Sequence, residues 1–134
     1  MEAVFGMWLI GALMSIRGFS LIFTTQDSID RSSFYTSLAK IAPLDVWGLA
    51  FIVSAMIIVG SAVSQSIKKY YGLIIGNVIA LVIGIPFVFI STIESHMIIT
   101  QNTVTLVTFF NFILLMHSGV CVWKEKKRIR SLQK

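Results

Sequence analysis

Arg17, Asn77, Thr108, Asn111, His117 and Ser118 are polar side chains set inside otherwise apolar runs, and they are where chemistry has to be sought. A guanidinium at the centre of a membrane helix costs about 2.5–3.5 kcal/mol on insertion scales, so Arg17 needs a partner or a route to water. It stands seven residues before Thr24. From there it can snorkel toward the headgroups, or pair with Asp27, Asp30, Asp45 or Glu94. A structural tie to the segment that follows is the reading adopted; a substrate or ion-path role and plain snorkelling are the alternatives.

Thr108, Asn111 and Ser118 share one helical face, with His117 beside it. Asn77 has a similar relative depth in the preceding run. The spacing predicts an Asn77–Asn111 hydrogen bond across helices, contributing roughly 0.6–2 kcal/mol. The functional alternative is a water-lined path through Asn77, Asn111 and His117. Histidine can carry protons, yet no Asp or Glu accompanies it inside these runs. Proton-coupled transporters bury carboxylates, so the pattern weighs against a proton-driven exporter and leaves a passive pore open.

Catalytic signatures are missing from the sequence: it has no nucleotide loop, HExxH, CxxC or G-x-S-x-G. Residues 37–40 match S-x-x-K, but the companion boxes of penicillin-binding enzymes are absent, and the match is read as coincidence. The single cysteine, Cys121, allows no internal disulfide and no thiolate cage. His96 and His117 fall near opposite membrane faces and are not expected to share a metal. The expectation is no enzyme, no cofactor and no metal.

The elements that must position these side chains follow from composition. Of 134 residues, 56% are apolar and 13% charged, against about 45–50% and about 25% in soluble domains. The mean hydropathy is +0.86. Four runs, 3–24, 46–65, 71–92 and 103–123, hold 85 residues and only one of the seventeen charges, Arg17. About 20 helical residues cross a hydrocarbon core of roughly 30 Å. The 49 remaining residues are too few to cover four buried strands. Glu2, with no Lys or Arg before the first run, argues against a cleaved signal peptide.

Positive residues near span ends favour the cytoplasmic side. Placing both termini inside puts eight loop and tail positives there, Lys68 and Lys69 plus six in the basic tail 124–134, and leaves Arg31 and Lys40 outside. Trp8, Tyr70, Tyr71 and Trp123 then lie near the inner interface and Trp47 near the outer one, which supports the boundaries. The tail reads as a topology anchor that meets anionic lipid, without the apolar stripe of an amphipathic helix.

Between the first two spans, Phe34, Leu38 and Ile41 recur at i, i+4 and i+7, which predicts a short interfacial helix capped by Asp27, Ser28 or Asp30. It lies on the outer leaflet or across the bundle mouth; a turn-rich loop is the alternative. Pro43 ends that element and opens span two, with Asp45 at the favourable end of the helix dipole. Asn102 is placed to cap span four. In span three, Gly72, Gly76, Ala80 and Gly84 recur every four residues and form a groove for a close helix. Its partner is Gly11, Ser15 and Gly18 of span one, or Ala50 and Ser54 of span two, within one copy or between two. Pro86 removes a backbone donor, so a bend is expected over 82–86, static in preference to a hinge.

The arrangement Ser33-Phe34-Tyr35, Leu38, Pro43 and Val46-Trp47-Gly48 resembles small four-helix membrane proteins encoded by bacteriophages and prophages of low-GC Gram-positive bacteria. The resemblance covers the first half of the chain and carries over no site residue. Some phage membrane proteins of this size are holins, usually with one to three spans; others block infection by competing phages. It therefore implies an accessory protein acting on the host membrane by partner binding or lesion formation. A small oligomeric transporter or channel, or a non-catalytic subunit of a membrane complex, is the alternative. The expected fold is all-α: four transmembrane helices in one bundle, residues 1–134, with a short interfacial helix after the first. The expected setting is a bacterial plasma membrane with cytoplasmic termini. The expected partners are the lipid bilayer, a second copy or another membrane protein, and no nucleic acid.

Overall fold

A computed structural model describes residues 2–64, 67–94 and 98–133, with side chains except at 2, 3, 94, 98–102 and 104. All elements among the described residues are helices: α1 (Glu2–Ile22), α2 (Gln26–Asp30), α3 (Ser33–Ile41), α4 (Leu44–Val63), α5 (Lys68–Glu94) and α6 (Ile98–Leu132). Four of them, α1, α4, α5 and α6, are long and apolar enough to cross a membrane.

The helix limits depart from the charge-free runs because a missing charge marks tolerance of lipid, while helix propensity continues through Lys, Glu and Arg. α5 therefore starts at Lys68 and ends at Glu94. The tail is not a separate segment, since residues 124–132 continue α6. At 35 residues α6 is about 52 Å long, well beyond the roughly 30 Å of a hydrocarbon core. Within the extension Arg128 Nη2 donates to Glu125 Oε1 at 2.6 Å, one turn back. That hydrogen bond, and then the nearby negative charge, hold the exposed guanidinium above its ordinary pKa. Asn102 lies inside α6 and not at its start, and its side chain is outside the described residues.

α1 packs along α4, α4 along α5, and α5 along α6, while α6 returns to α1 through only a few residues. The bundle is thus closed on three sides and loosely closed on the fourth. Small residues set the close approaches. A Cβ placed on Gly18 would stand 2.7 Å from the Gly48 carbonyl oxygen, and one on Gly48 would stand 2.5 Å from that of Gly18. Here two backbones touch, and only glycine leaves the room. The stripe on α5 serves two neighbours. Gly72 faces Ser61 and Gly76 faces Ile57 and Ile58 on α4, whereas Gly84 faces Thr108 on α6. Ser54 Oγ donates to the Gly76 carbonyl at 2.7 Å, so the contact of this stripe with α4 lies within one chain. Gly11 and Gly18 of α1 pack on α4 and not on α5.

The segment after α1 folds into two short helices, not one. Ser32 is extended and its hydroxyl accepts from the Tyr35 amide at 3.5 Å, which caps α3 and separates it from α2. The expected capping residues Asp27, Ser28 and Asp30 instead lie inside α2. Phe34 and Leu38 are buried, but Ile41 is 62% exposed, because α3 ends there and Ala42 turns extended toward α4. Trp47 Nε1 donates to the carbonyls of Leu38 (3.3 Å), which also accepts the Ala42 amide, and of Ala42 (3.1 Å), and so ties the end of α3 to α4. Pro43 occupies the N-cap position of α4, one residue before its first turn, and Asp45 lies in that turn. α3 closes one end of the bundle: Phe34 meets the Phe87 ring edge-on at 4.9 Å, and Phe51 meets it at 5.6 Å. α5 runs through Pro86 as one continuous helix.

Candidate functional site

The loosely closed side, between α1 and α6, holds a cavity of about 160 Å³. Its walls include Met14 and Arg17 of α1, Phe51 of α4, Ala80 of α5, and Thr108 and Asn111 of α6. It opens on the side where α1 and α6 touch only sparsely. Exposed lining residues are Leu13 and Ile16 on α1 and Thr103 on α6.

Arg17 is half-buried, yet its Nε and Nη2 atoms are cut off from solvent and have no hydrogen-bond partner among the described residues. The guanidinium carbon lies 5.3 Å from the centre of the Phe87 ring. The expected tie to Asp27, Asp30 or Asp45 is not formed; the Glu94 side chain lies outside the described residues. The reason is placement. α2 carries Asp27 and Asp30 on exposed positions, Asp45 is exposed on α4, and the guanidinium turns inward over Phe87. A cation over an aromatic face gains about 0.5–2 kcal/mol, which offsets only part of the cost of burial.

The Asn77–Asn111 hydrogen bond is likewise not formed. Each amide bonds back to its own helix: Asn77 Nδ2 donates to the Leu73 carbonyl at 2.7 Å and Asn111 Nδ2 to that of Val107 at 3.0 Å. Asn111 Nδ2 also reaches Met14 Sδ at 3.7 Å, linking α6 to α1. Both Oδ1 atoms are buried without a partner among the described residues. A helical asparagine satisfies its donor on the i−4 carbonyl more readily than it spans to a neighbouring helix. Ser118 is buried and bonds to the Leu114 carbonyl at 2.7 Å. His117 is exposed on the opposite side, with Nε2 at 3.5 Å from Cys121 Sγ. The path through Asn77, Asn111 and His117 therefore does not exist as one lining: two residues face inward and the third faces out. His96 lies outside the described residues. No group of three metal-ligating side chains occurs among the described residues.

Phe87, Met14 and Gly48 complete this site and its frame, and sequence reasoning missed them. Phe87 follows Pro86 and reads as one more apolar residue; only its position on the buried face of α5 singles it out. Gly48 is one helix away from the stripe that drew attention. No family model, curated protein or solved structure matches the chain. The class that fold and site define is therefore an all-helical chain with four helices able to span a membrane and one lateral, arginine-bearing cleft.

Proposed function

We propose that the chain is an integral protein of a bacterial plasma membrane, with four crossings and cytoplasmic termini. It serves as a phage- or prophage-type accessory protein by binding within the membrane, not by chemistry. The apolar exterior supports insertion: Phe5, Ile16, Val82, Phe89, Phe109 and Met116 are each more than half exposed. Water does not tolerate so much contiguous apolar surface. The eight positives on one side and two on the other support the orientation.

The observation that carries the reading is the filled interior. Phe51, Ile58, Leu73 and Phe87 occupy the space between the helices, and α3 covers one end with Phe34 and Leu38. Such an interior favours partner binding over a lesion through the axis of one copy. The test is induced expression in cells loaded with a voltage-sensitive dye, followed by phage challenge. The expected result is a steady potential with reduced entry of phage DNA and a membrane protein that co-purifies. Rapid collapse of the potential overturns it. That outcome belongs to the second reading, an oligomeric channel or transporter, which draws on the unpartnered polar atoms of Arg17 and Asn111.

A further inference from the structure

His117 and Cys121 are metal-ligating side chains that the cleft leaves unused. One turn apart, they share a face of α6, and His117 Nε2 stands 3.5 Å from Cys121 Sγ at the helix surface. The hydrogen bond between them puts one proton where a metal ion fits. Zinc at about 2.3 Å from sulfur and about 2.0–2.1 Å from nitrogen, with a tetrahedral angle, separates two such ligands by about 3.5–3.6 Å. The pair therefore has the spacing of half a tetrahedral site. Among the described residues no third His, Cys, Asp or Glu joins it, so the other half comes from outside the chain. The placement of His117 also points to a partner. An ionisable side chain within a span normally faces the bundle interior or a water-filled cavity, yet His117 is exposed on a flank of the least buried long helix. That flank carries a seam: Leu106, Phe110, Ile113, His117 and Val120, all exposed, recur at alternating four- and three-residue steps, the spacing of paired helices.

We infer that two copies of this chain pair along α6 and hold one zinc ion between them, through His117 Nε2 and Cys121 Sγ of each. Copies inserted with the same orientation run α6 in parallel and bring His117 to the same depth, whichever face the termini take. A two-fold axis along the membrane normal then supplies the identical pair from the second copy and completes a four-ligand site of two histidines and two cysteines. Charge suits the setting. On binding, each thiol releases its proton to solvent. Two thiolates neutralise one Zn²⁺, so the centre adds no net charge where an unpaired charge is costly. The seam from Leu106 to Val120 supplies apolar contact beside it. The inference needs the membrane-spanning reading, which aligns the copies, and is independent of the accessory role.

The test uses the tag-free full chain, reduced, in a neutral maltoside. Zn²⁺ is expected to bind at one ion per two chains and to convert monomer to dimer. Co²⁺ in its place should give the visible absorption of a tetrahedral ion and a sulfur-to-cobalt charge-transfer band. His117→Ala and Cys121→Ser should each lose the Co²⁺ bands and the metal-driven dimer. Both should keep the parent's unfolding midpoint without metal, since neither side chain is buried. His96→Gln should bind as the parent does. In isolated membranes, copper phenanthroline as oxidant should join two chains through Cys121, and Zn²⁺ added first should protect them. Metal bound at one per chain without a dimer, an octahedral Co²⁺ spectrum, or binding that survives Cys121→Ser overturns the assignment. Recovery of the chain from cells without detergent contradicts the membrane reading, and the Co²⁺ bands then tell whether the site falls with it.

Discussion

Phe87 is the residue on which the closed end of the molecule and the candidate site both depend. It is fully buried, receives Phe34 and Phe51 edge-on, and carries the Arg17 guanidinium on its ring. Truncation to alanine removes all of these contacts and leaves a cavity under a buried charge. Phe87→Ala is expected to cost about 3–5 kcal/mol, as aromatic truncations in packed cores do, read as a lower unfolding midpoint in detergent. An unchanged midpoint would show that α3 and Arg17 do not rest on this ring. The candidate site was partly legible in the sequence. Arg17, Asn77 and Asn111 stand out because polar groups inside apolar runs are expensive, and the folded chain buries polar atoms of all three. Their partners were not legible. Whether Arg17 turns outward to Asp27 or inward to Phe87 depends on where α2 and α3 lie, which no spacing along α1 encodes. The asparagines resolved their donors locally, an option that periodicity does not rank against a bond across helices.

Helix packing turns on one backbone contact, and the glycines differ in what they do for it. Gly18 and Gly48 meet backbone to backbone, while Gly60 has open space where a Cβ would go. Gly18→Ala or Gly48→Ala should therefore separate α1 from α4 and destabilise the chain by about 1–3 kcal/mol, the usual cost of overpacking. Gly60→Ala should be neutral or stabilising by up to about 1 kcal/mol, because alanine is the better helix former and nothing obstructs it. Thermal unfolding of the three variants in one detergent gives the comparison, and equal losses would contradict the packing. The four long helices were legible because charge is absent where lipid would be and present elsewhere. Their ends were not, since Lys124 to Arg130 suit both water and a helix. The break at Ser32 was also hidden. Asp27, Ser28, Asp30 and Ser32 are all competent caps, and only the docking of Phe34 and Leu38 under the bundle end selects the last.

For the whole molecule, the central claim is that the four long helices cross a bilayer, with α2 and α3 on one side and the extension of α6 on the other. Of the four long helices, α6 has the smallest buried share in its apolar stretch, 11%, so on this claim lipid solvates most of its apolar surface. Single cysteines placed at Glu2, Ser28 and Ser131 in a Cys121→Ser chain report this directly through a membrane-impermeant maleimide on intact cells. Ser28→Cys, in α2, should label in intact cells; Glu2→Cys and Ser131→Cys should label only after permeabilisation. Labelling of Glu2→Cys without Ser131→Cys in intact cells, or of all three alike, would contradict the four crossings and the shared side of the termini.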